Sequence, residues 1–120
     1  MSKNLLFNPI RVRDLELKNR AVVSPMCQYS AKDGFINDWH LSHLNQFAMG
    51  GVGLVFTEAT AVEKRGRITH GCTGLWCDEQ MEGMGNIVSQ VKARGSAIGI
   101  QLAHAGRKAS ISRPWEGDCP

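Results

Sequence analysis

Cys27 and Tyr29 follow a proline in the run Ser24-Pro25-Met26-Cys27-Gln28-Tyr29, so a thiol and a phenol stand two residues apart on backbone that the proline ring has stiffened. Two readings of Cys27 stand side by side: an inert buried thiol, or a thiol set against a redox-active ligand. Tyr29 is either loop packing or a phenolic donor for a substrate oxygen. Gln101 is a lone amide in the apolar stretch Ala97-Ile98-Gly99-Ile100-Gln101-Leu102-Ala103. Its two donors and one acceptor could satisfy polar groups inside the protein, or meet both edges of a cyclic imide in a flat ligand.

Other spacings are weaker. His40-x-x-His43 sets two imidazoles on one helical face, a metal-compatible pair, but no carboxylate or third ligand is arranged around it. Cys72-x-x-x-x-Cys77 lacks zinc spacing, so no metal is expected. Gly50-Gly51-Val52-Gly53 precedes a strand instead of following one, which disfavours a dinucleotide fingerprint. Neither a Ser/His/Asp order nor a Walker lysine motif is found.

These residues need elements to hold them. Three short apolar runs suit buried strands: Ala21–Ser24, Val52–Thr57 and Ala97–Ala103. Between them lie two helical patterns. One runs from Asp38, read as the N-cap, through Leu41, Leu44 and Ala48 to Gly50-Gly51. The other runs from Asp78 through Met81, Met84, Val88 and Val91 to Gly95, with Gly83 and Gly85 weakening its first half. Strand, helix, strand, helix, strand with near-continuous apolar strands predicts parallel βαβ units. A short hairpin, Ile10–Val12 with Leu15–Leu17, is expected ahead of them.

Connection lengths are lopsided. The returns from helix to strand are as short as Gly50-Gly51 and Gly95-Ser96, whereas Pro25 to Asn37 and Glu58 to Cys77 are long loops on the face where βα folds build their sites. In the third strand, Ile98, Ile100 and Leu102 are expected to pack on helices, leaving Gly99, Gln101 and Ala103 for an interior that receives a flat ligand.

Composition sets the outer limits. Of 120 residues, 42% are hydrophobic and 21% charged, so a folded apolar core is expected. The net charge of +3 is scattered over Arg11/Arg13, Lys64/Arg65/Arg67 and Arg107/Lys108/Arg113, which disfavours nucleic acid as a partner. No apolar run reaches the roughly 18 residues of a membrane span, and the start lacks a signal-peptide pattern. A cytoplasmic protein with Cys27, Cys72, Cys77 and Cys119 as free thiols is therefore expected. The chain is far shorter than the roughly 250 residues of a closed α/β barrel, and it stops soon after the third strand, so it reads as cut short.

Five strings occur in register: Leu17-Lys18-Asn19-Arg20, Ser24-Pro25-Met26-Cys27-Gln28-Tyr29, Glu58-Ala59-Thr60-Ala61-Val62, Gly66-Arg67-Ile68-Thr69, and Gln101-Leu102-Ala103-His104-Ala105-Gly106-Arg107-Lys108. Together they resemble the old yellow enzyme family of flavin-dependent ene-reductases, nearest its bacterial xenobiotic reductase A-like branch, over essentially the whole chain. The resemblance implies an α/β fold: the N-terminal portion of a TIM (β/α)8 barrel binding FMN, with hairpin, three parallel strands and two helices, all of 1–120 lying in one domain. It implies that Ser24, Pro25, Met26 and Cys27 line the flavin ring, Cys27 tuning its redox behaviour. It further implies that Ala59 lies against the flavin, that Gln101 bonds its pyrimidine edge and that Tyr29 positions a substrate carbonyl.

The implied activity is NADPH- or NADH-dependent reduction of activated alkenes, α,β-unsaturated carbonyl or nitro compounds, by a full-length protein that could be a homo-oligomer. The family's substrate-clamping histidines, proton-donating tyrosine and phosphate loops fall beyond Pro120. The 120 residues alone are therefore expected to be inactive; the alternative is a standalone flavin-binding or complementing module.

Overall fold

The computed structural model describes residues 4–117; Cys119 lies outside them. A hairpin opens the fold, β1 (Ile10–Val12) pairing antiparallel with β2 (Leu15–Leu17) so that Ile10 faces Leu17. Next come β3 (Val22–Val23), α1 (Asp38–Met49), β4 (Leu54–Ala61), α2 (Met81–Ala93) and β5 (Ala97–Ala103). The last three strands form one parallel sheet in the order β3-β4-β5, as the alternation of strands and helices predicts.

α1 starts one residue earlier in its capping than expected. Asn37, with extended backbone, is the N-cap, and its side chain accepts the Trp39 N–H at 3.0 Å. Asp38 is instead the first helical residue, where its charge meets the positive helix end. α2 forms despite Gly83 and Gly85, each costing about 1 kcal/mol relative to alanine, because one face buries Met84, Ile87 and Val91. The expected stripe is rotated: Met81 is 57% exposed and Ile87 takes its place. A 3₁₀ turn, Asp78–Gln80, rather than α-helix occupies the expected start.

The core is one layer between sheet and helices. Leu44 and Ala48 of α1 and Ile87 and Val91 of α2 close on Val55 of β4, with Val23 and Ile98 packed against them. Beneath the sheet the returns are tight. The Asn19 amide donates to the Gly51 carbonyl at 2.8 Å, and the Ser96 hydroxyl donates to the Val52 carbonyl at 2.6 Å. Gly53 packs so closely on the Asn19 backbone that a Cβ would not fit.

Two strand expectations change. β3 shrinks to two residues, and β4 runs four residues past Thr57, so the loop after it starts at Val62 instead of Glu58. A β-bulge hides the extension in the sequence: Phe56 pairs with Gly99 and Ala59 with Gln101, leaving Thr57 and Glu58 together opposite Ile100. Simple alternation breaks at that point. In β5, only Ile98 reaches the core; Leu102 is 59% exposed, because α2 covers only the first half of this edge strand.

Candidate functional site

The loops that leave the C-terminal ends of β3, β4 and β5 lie together and are stitched by backbone hydrogen bonds. Ala31 N–H donates to the Gly71 carbonyl and Gly74 N–H to the Gly34 carbonyl, both at 2.9 Å, joining the first loop to the second. Ala105 N–H donates to Gly66 at 2.8 Å, and Ser110 N–H to Arg67 at 3.0 Å, joining the third to the second. Thr73 and Leu75 also bond to both sides of Ala61, extending the end of β4. The lopsided loop lengths thus correspond to one built face.

Four of the seven residues singled out in the sequence come together on it. The bulge returns Ala59 to the face of Phe56 and Gly99, and Ala59 pairs in register with Gln101. The Cys27 thiol lies against the Ala59 backbone and the Tyr29 hydroxyl. Burial pushes this thiol above its ordinary value of 9.0; the Ala59 backbone pulls it back down, and the Glu58 carboxylate adds to the rise. Tyr29 is likewise raised, chiefly by burial and then by its neighbour Cys27. Ser24, Pro25 and Met26 continue directly from the end of β3, with Ser24 and Met26 exposed.

Tyr29 has φ 50°, in the left-handed region that a bulky side chain seldom adopts. Gly71 packs on its carbonyl from the neighbouring loop, where a Cβ would collide with the Tyr29 backbone. Its ring lies 6.3 Å from that of Trp115. The conformation is thus held from two sides by neighbouring structure.

These groups fit a flat heteroaromatic cofactor such as FMN. Gln101 is exposed and its amide has no partner among the described residues, so two donors and an acceptor are free beside the small side chain of Ala59. The half-buried thiol of Cys27 borders the same patch.

Sequence reasoning missed the group behind this patch. Glu58, 5% exposed, accepts the Gln28 N–H through Oε2 at 3.0 Å, while its Oε1 stands 3.1 Å from Nε2 of His40, itself 3% exposed. The His40–Glu58 contact is close but not aligned as a regular hydrogen bond. A glutamate inside the apolar run of β4 was the available signal. His40 and His43 do not act as a pair: His43 meets the edge of the Phe47 ring at 5.1 Å. Among the described residues no three His, Cys, Asp or Glu side chains converge as a metal site.

The chain is 52% identical over 115 residues to an NADPH dehydrogenase of Bacillus subtilis, covering 94% of the chain and 33% of that relative. It is 50% identical over 113 residues to an NADPH dehydrogenase of Listeria welshimeri, covering 92% and 33%. Among solved structures it superposes on morphinone reductase with a TM-score of 0.80 at 31% identity, covering 87% of the chain and 27% of that structure. It superposes on old yellow enzyme from Pichia sp. AKU4542 with a TM-score of 0.80 at 36% identity, covering 88% and 28%. The chain therefore spans about a third of the length of the two dehydrogenases and little more than a quarter of the two solved structures, and its sheet and helices are the N-terminal portion of their TIM barrel. Residues 5–120 match the model of the NADH:flavin oxidoreductase / NADH oxidase family, and the chain belongs to this family of FMN-dependent enzymes.

Proposed function

We propose that these residues are the N-terminal segment of a single-domain FMN-dependent NAD(P)H oxidoreductase that reduces C=C bonds activated by a carbonyl or nitro group. The observation that carries the reading is the grouping of Cys27, Ala59 and the unpartnered Gln101 at one edge of the parallel sheet. Kinship with NADPH dehydrogenases supports NADPH as the electron donor. FMN held at this face would supply the hydride-transfer chemistry between a nicotinamide donor and an activated alkene.

The chain's own residues bind, orient and shield. Ser24, Pro25 and Met26 form one wall of the flavin pocket, and Ala59 leaves room for the ring. Gln101 donates to and accepts from its pyrimidine edge, stabilising negative charge that develops there. Cys27 offers a protonated, weakly polar thiol to the ring. Tyr29, a phenol whose titration burial pushes above its ordinary value of 10.0, donates to the substrate carbonyl and so polarises the alkene. A reducing compartment, the cytoplasm, suits a site that needs Cys27 as a free thiol.

The isolated 120 residues do not turn over on this reading, since two edge strands and the exposed Leu102 await partners. The test is a visible spectrum and anaerobic NADPH titration of the full-length protein, beside the purified 120-residue chain with added FMN. Full-length protein that holds FMN, bleaches with NADPH and reduces 2-cyclohexenone supports the reading. A colourless full-length protein overturns it, and stoichiometric FMN on a monodisperse 120-residue chain would favour the standalone module.

A further inference from the structure

Glu58 is a carboxylate without a permanent cation. The β4 bulge turns it, together with Thr57, away from the Phe56–Ala59 face and into the buried layer between sheet and helices, Glu58 beside α1 and Thr57 beside α2. Its Oε2 takes the N–H of Gln28 at 3.0 Å. That N–H belongs to the peptide joining Cys27 to Gln28, so the bond fixes the backbone between the thiol and the phenol. On the other side stands His40, in the first turn of α1. The His40 Nδ1 accepts the Asn37 N–H at 3.1 Å and lies equally close to the Asn37 Oδ1, which orients the ring so that its Nε2 stands 3.1 Å from Glu58 Oε1. Asn37 in turn donates through its amide to the Ser30 carbonyl at 2.8 Å, closing the loop onto the same helix end.

A buried carboxylate costs folding free energy that a glutamine would not, while either side chain could accept the Gln28 N–H. The bond alone therefore does not account for a negative charge at this place. We propose that Glu58, backed by His40, is a positioning residue for the Cys27–Tyr29 segment: it pins the Cys27–Gln28 peptide and sets a fixed negative charge behind the thiol. The proposal rests on the flavin reading only for the purpose of the site; the geometry stands without it. The groups that face this charge are His40 and His43 from α1 and Cys27 and Tyr29 from the first loop. Cys72, from the loop after β4, faces Cys27 as well.

Glu58→Gln keeps an acceptor for Gln28 and removes the charge; Glu58→Ala removes both. In the full-length FMN-loaded protein, iodoacetamide labelling of Cys27, followed by peptide mass spectrometry between pH 7 and 10, reads the charge. KM and kcat for 2-cyclohexenone read the position. With Glu58→Gln the labelling curve moves to lower pH, about two- to threefold faster at pH 8, while KM stays within about twofold of the parent. With Glu58→Ala, KM rises about tenfold and reduction of bound FMN by NADPH persists. A Glu58→Gln labelling curve that superimposes on the parent overturns the proposal, as does an unchanged KM in Glu58→Ala. Should Glu58→Ala fail to fold, the glutamine curve still decides. A parent protein that holds no FMN defeats the functional reading, yet the labelling comparison remains readable on that same protein.

Discussion

In a Gly71→Ala protein the new methyl group is driven into the backbone of Tyr29. The ideal Cβ position lies 2.7 Å from the Tyr29 carbonyl carbon and closer still to its oxygen and to the Arg113 side chain. Ordinary contact begins at about 3.4 Å, so the two loops must part by roughly 0.7 Å or more, and the obstacle is backbone that no rotamer can clear. The Ala31 N–H bond to the Gly71 carbonyl, now 2.9 Å, stretches with them. Overpacking of about 1–3 kcal/mol and loss of about 1 kcal/mol from that bond give a destabilisation of about 2–4 kcal/mol. If Tyr29 holds the substrate carbonyl as proposed, its displacement lowers kcat/KM for an enone by about one to two orders of magnitude.

Gly85→Ala is the matched control: its Cβ meets nothing within 4 Å, it lies inside α2, and alanine stabilises by about 0.5–1 kcal/mol. Thermal melting and steady-state kinetics of both full-length variants make the comparison. A Gly71→Ala protein that melts and turns over like its parent refutes the idea that the two loops are in hard contact.

Four further outcomes are expected. Ile87→Ala empties a fully buried position between α1, α2 and β4 and lowers stability by about 2–5 kcal/mol in a denaturant titration; a loss under 1 kcal/mol contradicts the core as described. Asn37→Ala removes the α1 cap and its tie to Ser30, costing about 1–2 kcal/mol, whereas Asn37→Asp keeps the cap and recovers part of it. Gln101→Leu weakens FMN binding about 5- to 30-fold by equilibrium dialysis if the amide bonds the flavin, and leaves it unchanged if it does not. The Cys27 thiol, raised by burial, stays protonated through neutral pH, so its alkylation rate still climbs past pH 9.0; a plateau below that pH removes the case for burial. Because the folded-state value is the higher one, the corresponding stability is complete below pH 9.0 and is lost as pH rises through the raised value.

The hairpin, both helices and β5 were legible because each is a local pattern: alternation in Ile10–Leu17, the 3.6-residue period of Leu44 and Ala48, and the branched run of Ala97–Ala103. The parallel sheet followed from their order, and the gathering of the long loops on one face from the excess of chain on that side. The end of β4 was not legible, since a bulge puts Thr57 and Glu58 on one layer and breaks the period that marks a strand.

By itself, then, the sequence determined the element order, the loop face and the residue types available there, because period, turn chemistry and chain length are local or additive quantities. Only tertiary structure decided that Ala59 shares a face with Gln101, that Tyr29 takes a left-handed backbone, and that Glu58 meets His40 beneath Cys27. Each depends on register or on contact between segments roughly 20 to 40 residues apart. Such pairings are fixed by how the sheet closes on its helices, a property that no window of the sequence contains.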